Sequence, residues 1–368
     1  MSKTQLSIPC HWNKKVLNEI VKQNLATKDI KITEIYGTLA KGPIGHGRSS
    51  SSVPDISRKY AIDFRKYVKS VGLKFIYLIN APFSFEGSKR KEVENYLYWI
   101  VNKFKADALM ITSYELMEFI RKKYPKIPIF ISTIAGIKNA KQLETFKTVF
   151  PSRVVVHHDT NRNFKDLKEI IKKSKKWSIE IELMATESCL RRCPNREAHY
   201  KHLSGGNIDK PFHTVCNTKK LLYPREFIKA NFIRPEDLRF YEKIGIKLFK
   251  ITGRSKKAAW LPEVTRAYLN RKYSGNLIRL LGIDPSLEAE KWIYINNSSL
   301  DGFLENFPVS GSEEEENIYC DKWISKLYNE GNFTVRDNSK YGVRYNSSLY
   351  CKKPGKRIFS IVFKEKEA

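Results

Sequence analysis

Phe75-Ile76-Tyr77-Leu78-Ile79-Asn80 decides the fold. Its apolar residues run without a polar break and stop at Asn80. A strand with one wet face would alternate between apolar and polar residues. An unbroken run instead suits a strand covered on both faces, as in a parallel sheet. Similar runs recur along the chain, and the candidate strands are 5–9, 32–36, 75–79, 108–111, 129–132, 154–157, 179–184 and 248–252. Amphipathic helical stretches lie between them near 14–24, 57–70, 87–104, 113–123, 138–149, 163–175 and 235–244. Gly72, Pro125, Pro128, Pro151 and Gly245 punctuate their ends.

This alternation over about 250 residues predicts an α/β fold, a TIM-like (β/α)8 barrel. An open doubly wound sheet has the same periodicity and stays as the alternative. The barrel is expected over 1–282, with a cysteine-rich insertion at about 186–232. A further helix fits 258–272. Residues 283–368 read as a small, polar, loop-rich C-terminal appendage with an acidic run at 313–316 and a β-like stretch at 357–363.

The 368 residues are 41% hydrophobic and 12% aromatic, which excludes a disordered chain. No apolar run is long enough to span a bilayer and no secretory signal opens the sequence, so no membrane insertion and a cytoplasmic location are expected. Thiols stay reduced there, so six cysteines read as ligands or free thiols. The net charge of +28 points to an anionic partner, with RNA a candidate. Lysines spread over helix faces can also be a habit of composition.

The sharpest local signal is Glu187-Ser188-Cys189-Leu190-Arg191-Arg192-Cys193-Pro194-Asn195-Arg196, directly after the strand at 179–184. In a parallel barrel the segments after strands build the active-site face. Cys189 and Cys193, four apart, can present both sulfurs to one centre. Three thiolates with Cys216 and a fourth ligand would suit a 4Fe-4S cluster, and a structural zinc is the competing metal. Cys320, Cys351 and Cys10 are the candidates for fourth ligand.

His157 and His158 would point opposite ways on a strand, so one at most faces a site. His199 and His202 could reach the cluster region or be solvated. Arg48, in the Gly-rich segment 42–48, could clamp a carboxylate or phosphate. Asn80 could be a cap or a ligand contact. Lys250 and Arg254, on and after the last strand, read as facing something anionic. Glu182 could act as a base or be a buried partner of Lys250 or Arg254. No H-E-x-x-H or G-x-S-x-G hydrolase pattern is present.

Several motifs occur in a fixed order: Ile35-Tyr36-Gly37, Gly45-His46-Gly47-Arg48, Leu78-Ile79-Asn80-Ala81, Ser132-Thr133-Ile134-Ala135-Gly136, Asp159-Thr160-Asn161-Arg162-Asn163-Phe164, Glu187-Ser188-Cys189 with Cys193-Pro194-Asn195-Arg196, Ile233-Arg234-Pro235-Glu236-Asp237 and Phe249-Lys250-Ile251-Thr252-Gly253-Arg254. Together they resemble peptidase family U32 along roughly residues 5–305. The resemblance implies a TIM-like barrel and a 4Fe-4S cluster on four cysteines. It also implies oxygen-independent hydroxylation of an RNA base or of a small aromatic substrate.

Cys189, Cys193 and Cys216 match the family's central ligands, and the position of Cys320 after Leu300-Asp301-Gly302-Phe303 favours it as the fourth. An iron–sulfur enzyme of this kind would bind its substrate through Arg48, Asn80, Asn161, Arg162 and Arg254, with Glu182, His157 and Lys250 as catalytic candidates. An electron donor and a second chain, of the same or another kind, are candidate partners. Two other functions compete with this one: a collagenase-like peptidase, and a non-catalytic RNA-binding accessory protein with a structural metal.

Overall fold

The computed structural model describes residues 3–49, 53–85, 89–204, 210–254, 256–283, 288–309, 311–337, 343–345 and 359–361. Eight parallel strands close on themselves: β1 (Thr4–Pro9), β2 (Ile30–Gly37), β3 (Lys74–Ile79), β4 (Ala108–Ile111), β5 (Ile129–Ile131), β6 (Arg153–Val155), β7 (Glu180–Met184) and β8 (Leu248–Lys250). Gln5 of β1 lies opposite Leu248 of β8, so the sheet is the predicted barrel and not the open alternative. Every strand lies where an apolar run predicts it, with ends shifted by two residues at most.

Helices α1 (Lys14–Leu25), α2 (Arg58–Ser70), α3 (Arg90–Tyr98), α4 (Tyr114–Lys123), α5 (Ala140–Glu144) and α6 (Phe164–Lys176) follow the first six strands. The first residue before several of them is a polar cap. Asn13, Ser57, Ser113 and Asn163 each accept a backbone N–H from the first turn. The connection from β7 to β8 is longer and carries α7 (Arg196–Ser204), α8 (Lys210–Leu222), α9 (Arg225–Lys229) and α10 (Leu238–Lys243). Helix α11 (Trp260–Leu269) follows β8 and packs beside α1.

The main core lies between strands and helices. A smaller cluster fills the barrel itself: Tyr36, Ile76, Leu78, Ala108, Met110, Phe130, Val155 and Met184. These residues alternate with outward-facing ones along each strand. Glu34, Arg153, Glu182 and Lys250 also point inward and are buried.

Beyond the barrel, α12 (Leu277–Leu281), β9 (Ile293–Ile295), α13 (Glu313–Asn329) and β10 (Phe333–Val335) form a partner layer, with β9 and β10 antiparallel. Helix α13 corrects the loop-rich expectation for this region. The acidic run at 313–316 is its first turn, where acids offset the helix dipole. Ser312 and Glu315 make a reciprocal capping box. Helix α13 packs on α9. Strands β11 (Val343–Tyr345) and β12 (Phe359–Ile361) pair antiparallel. Among the described residues no helix is long and apolar enough to cross a membrane.

Candidate active site at the barrel mouth

The C-terminal ends of the strands carry Tyr36, Asn80, His157, Glu187 and Arg254 at or just beyond the strand ends. The Gly45–Arg48 segment folds over this mouth. Asn80 holds it there, accepting the Gly47 N–H at 3.3 Å and donating to Ser132 Oγ at 3.1 Å. Its side chain thus positions the loop. A Cβ at position 45 would meet the Ser204 carbonyl at 2.9 Å, so glycine there lets the loop lie this close.

Arg48 and Arg254 converge with Tyr36 at the mouth. Burial and the neighbouring Arg48 pull Arg254 from 12.5 down to about 10. Its Nη1 is buried and has no hydrogen-bond partner among the described residues. Burial also works against the charge of Arg48, but Cys189, Glu187 and Tyr200 outweigh it and raise its pKa. Two guanidiniums gathered in a low-dielectric pocket repel each other until an anion joins them.

Cys189 sits beside this pair. Burial pushes its thiol up to about 12, and the Glu187 carboxylate adds to the shift. Glu187 Oε1 accepts the Cys189 N–H at 2.7 Å. Burial opposes the Glu187 charge, but His158, Arg196 and Cys189 hold the carboxyl at about 2. Tyr200 of α7 also closes around Cys189. It was not singled out from the sequence, because nothing local marks a helical tyrosine as facing the mouth.

One layer lower, Lys250 Nζ lies 3.6 Å from the centroid of the Tyr36 ring and 3.6 Å from Met110 Sδ. Burial draws Lys250 down to about 8, against the pull of Glu182 and Glu34. Burial raises the carboxyl pKa of Glu182, while Lys250 and Arg153 oppose it. Glu182 and Lys250 therefore belong to a charge network inside the barrel, beneath the mouth.

His157 and His158 depart from the expectation of opposite directions. β6 ends at Val155, and His157 caps a 3-10 turn at His158–Thr160. The two rings stack with centroids 4.4 Å apart. Asn161 and Arg162 leave the substrate set altogether. Asn161 donates to the carbonyls of Met184 and Asn231, each at 2.8 Å. Arg162 is 1% exposed and its guanidinium donates to the carbonyls of Ile228, Lys229 and Ala230, against Phe232, Phe303 and Phe307. It clamps the β7–β8 connection to the C-terminal layer, a role that only tertiary packing reveals.

Lys220 of α8 donates to the Ser188 carbonyl, and Cys216 lies one turn earlier on the same helix face. That face is therefore seated on the loop bearing Cys189 and Cys193. Helix α8, which carries Cys216, thus touches the segment that carries Cys189 and Cys193. No three of the described sulfurs lie within 4.8 Å of one another. Such a spacing would mark a single-ion site, whereas a cubane holds its thiolates farther apart.

Cys320 is fully buried on α13, with Arg162, Lys229, Glu226 and Asp321 as its charged neighbours. The apolar face of α13 carries it into the core against α9. Cys10 packs in the core beside Gly37, and Cys351 lies outside the described residues. His199 stacks on Phe212 of α8 at 4.8 Å, so it packs α7 against α8.

His46 adds a pH dependence. Burial and the nearby Arg254 pull it from 6.5 to about 3. As pH falls through 6.5 the unfolded chain takes up this proton and the folded one does not. Stability therefore drops with acidification between those values, by about 1.4 kcal/mol per pH unit for this group. His46→Asn is expected to remove one proton from that slope, read from urea midpoints across the acid range.

Residues 55–191 match the family model described as Peptidase family U32. Over 304 residues the chain is 27% identical to the "Uncharacterized protease MJ1657" of Methanocaldococcus jannaschii, covering 79% of this chain and 87% of that protein. Among solved structures it is similar to the U32 peptidase Mk0906 at 14% identity, with a TM-score of 0.50 over 69% of this chain and 94% of that one. At that identity the likeness speaks for the fold. Residues 55–191 thus carry the sequence pattern of peptidase family U32, and the barrel is similar to that of a U32 peptidase.

Proposed function

We propose that this chain is an iron–sulfur-dependent modifying enzyme that acts on an anionic substrate at the barrel mouth, in the manner of an oxygen-independent hydroxylase. The observation that carries the reading is the convergence of Arg48 and Arg254 beside the Cys189 loop, with a buried Arg254 Nη1 lacking a hydrogen-bond partner among the described residues. Arg254 and Arg48 would bind a phosphate or carboxylate of the substrate in bidentate fashion. The 45–48 loop, fixed by Asn80, would exclude water from it. Lys250, drawn down to about 8, can give or take a proton near neutral pH just below the bound group.

Cys189, Cys193 and Cys216 would hold the cluster, which supplies Lewis-acid or electron-transfer chemistry when bound. The net charge of +28 makes RNA a fitting substrate class.

Anaerobically purified protein is expected to carry about four irons per chain and a broad charge-transfer absorption, as a 4Fe-4S centre does. Cys189→Ser should lose most of that iron. Modified nucleosides and metabolites compared between wild-type and deletion strains would then identify the product. An iron-free protein that cleaves gelatin under chelation would support the peptidase reading instead.

A further inference from the structure

We propose that His157, His158 and Asp159 hold a first-row divalent transition ion, with Glu187 as a fourth ligand. The site lies at the end of β6, and Glu187 joins it to the Cys189 segment through the Cys189 N–H. One ligand atom from each of the three residues lies within 4.8 Å of the others. Nitrogen and oxygen ligands about 2.0–2.2 Å from one ion sit at most about 4.4 Å apart. Small side-chain rotations therefore close the set.

Three further observations point to an ion. His158 is 0% exposed, yet neither of its ring nitrogens has a hydrogen-bond partner. A buried imidazole is otherwise almost always satisfied, and a metal would satisfy it. Each carboxylate is anchored by one oxygen and offers the other. Asp159 Oδ1 accepts N–H groups of Asn231 and Arg192, while Oδ2 lies 3.7 Å from His157 Nδ1. Glu187 Oε1 takes the Cys189 N–H, while Oε2 lies 3.8 Å from His158 Nδ1.

His157 Nδ1 already accepts the Asp159 N–H at 3.2 Å, which leaves Nε2 as its ligand atom, and the 3.8 Å between His158 Nδ1 and Glu187 Oε2 is too long for a hydrogen bond and suits two ligands of one ion. Anchoring of this kind orients ligands in established metal sites. The donor set, two imidazoles and two carboxylates, favours Zn(II), Fe(II), Co(II) or Mn(II) over calcium or magnesium. Arg196, 3.7 Å from Asp159 Oδ1, balances charge from outside the set.

The probe is Co(II), added to protein freed of metal by chelation. One Co(II) per chain is expected, with ligand-field bands and no thiolate charge transfer, and Cys189→Ser should bind it equally. His158→Phe, which keeps the ring volume, should weaken binding by at least about 100-fold, and Asp159→Asn by about 10–100-fold. If His158→Phe does not fold, Asp159→Asn decides alone.

The proposal is overturned by the absence of Co(II) binding, by binding that survives these variants, or by thiolate charge-transfer bands that vanish in Cys189→Ser. Iron content of the anaerobic protein tests the cluster separately, so either idea can fail without the other.

Discussion

Arg153→Met is expected to lower the stability of the folded chain by about 3–5 kcal/mol, the usual result of removing one partner from a buried charge pair. Arg153 lies inside the barrel with 6% of its side chain exposed. It binds Glu34, lies 2.9 Å from Glu180 and 3.8 Å from Glu182, and stacks 4.2 Å from the Phe130 ring centroid. Glu34 and Glu182 have 4% and 1% of their side chains exposed, so neither can turn to water. Without the arginine, Lys250 is left to face both carboxylates, and the uncompensated buried charge weighs against the fold.

The deficit should therefore shrink as pH is lowered, where protonation of the two acids is cheap. Adding Glu34→Gln should recover a large part of it, because an uncharged partner no longer needs the cation. Urea midpoints of the two variants and the wild type would decide. A loss below about 1 kcal/mol, the range of exposed pairs, would mean that the interior network is solvated.

Arg254→Met is expected to act in two opposite directions. The free protein should become more stable, by about 1–2 kcal/mol, since a buried guanidinium with its pKa drawn down to about 10 opposes folding. Anion binding should weaken by about 10–150-fold, the equivalent of one or two charge-assisted hydrogen bonds. Inorganic phosphate and pyrophosphate serve as probes, because a ligand that binds only the folded state raises its melting temperature with concentration. Arg254→Lys should keep part of the affinity but lose the bidentate grip. A variant that is both less stable and unchanged in anion binding would make Arg254 a structural residue and remove the main support for the proposed substrate class.

The eight strands were legible because buried parallel strands must be apolar on both faces, and that leaves an unbroken mark such as 75–79. Arg48, Cys189 and Arg254 were legible because barrel geometry places whatever follows a strand at the mouth. Arg162 was misread for the same reason. Its segment looks like a ligand loop, and only the folded chain shows the guanidinium spent on three carbonyls.

Helix α13 had a local signal in Ser312 and Glu315, but a run of four acids suggested a solvated loop. Glu316 is in fact fully buried against Arg191 and Arg192, a pairing across more than 120 positions that no local pattern encodes. The stacked rings of His157 and His158 depended on where β6 stops, and strand ends are what sequence patterns place least well.

The pairing of β1 with β8 also sets a clock for synthesis. Thr4–Pro9 leaves the ribosome early, but the strand that covers its free edge ends at Lys250, some 240 residues later. At about 5–20 residues per second, that edge stays open for roughly 12–50 s in every newborn chain. During that interval its unpaired backbone can join a neighbour's, so crowded expression should be limited by this delay more than by the stability of the finished barrel.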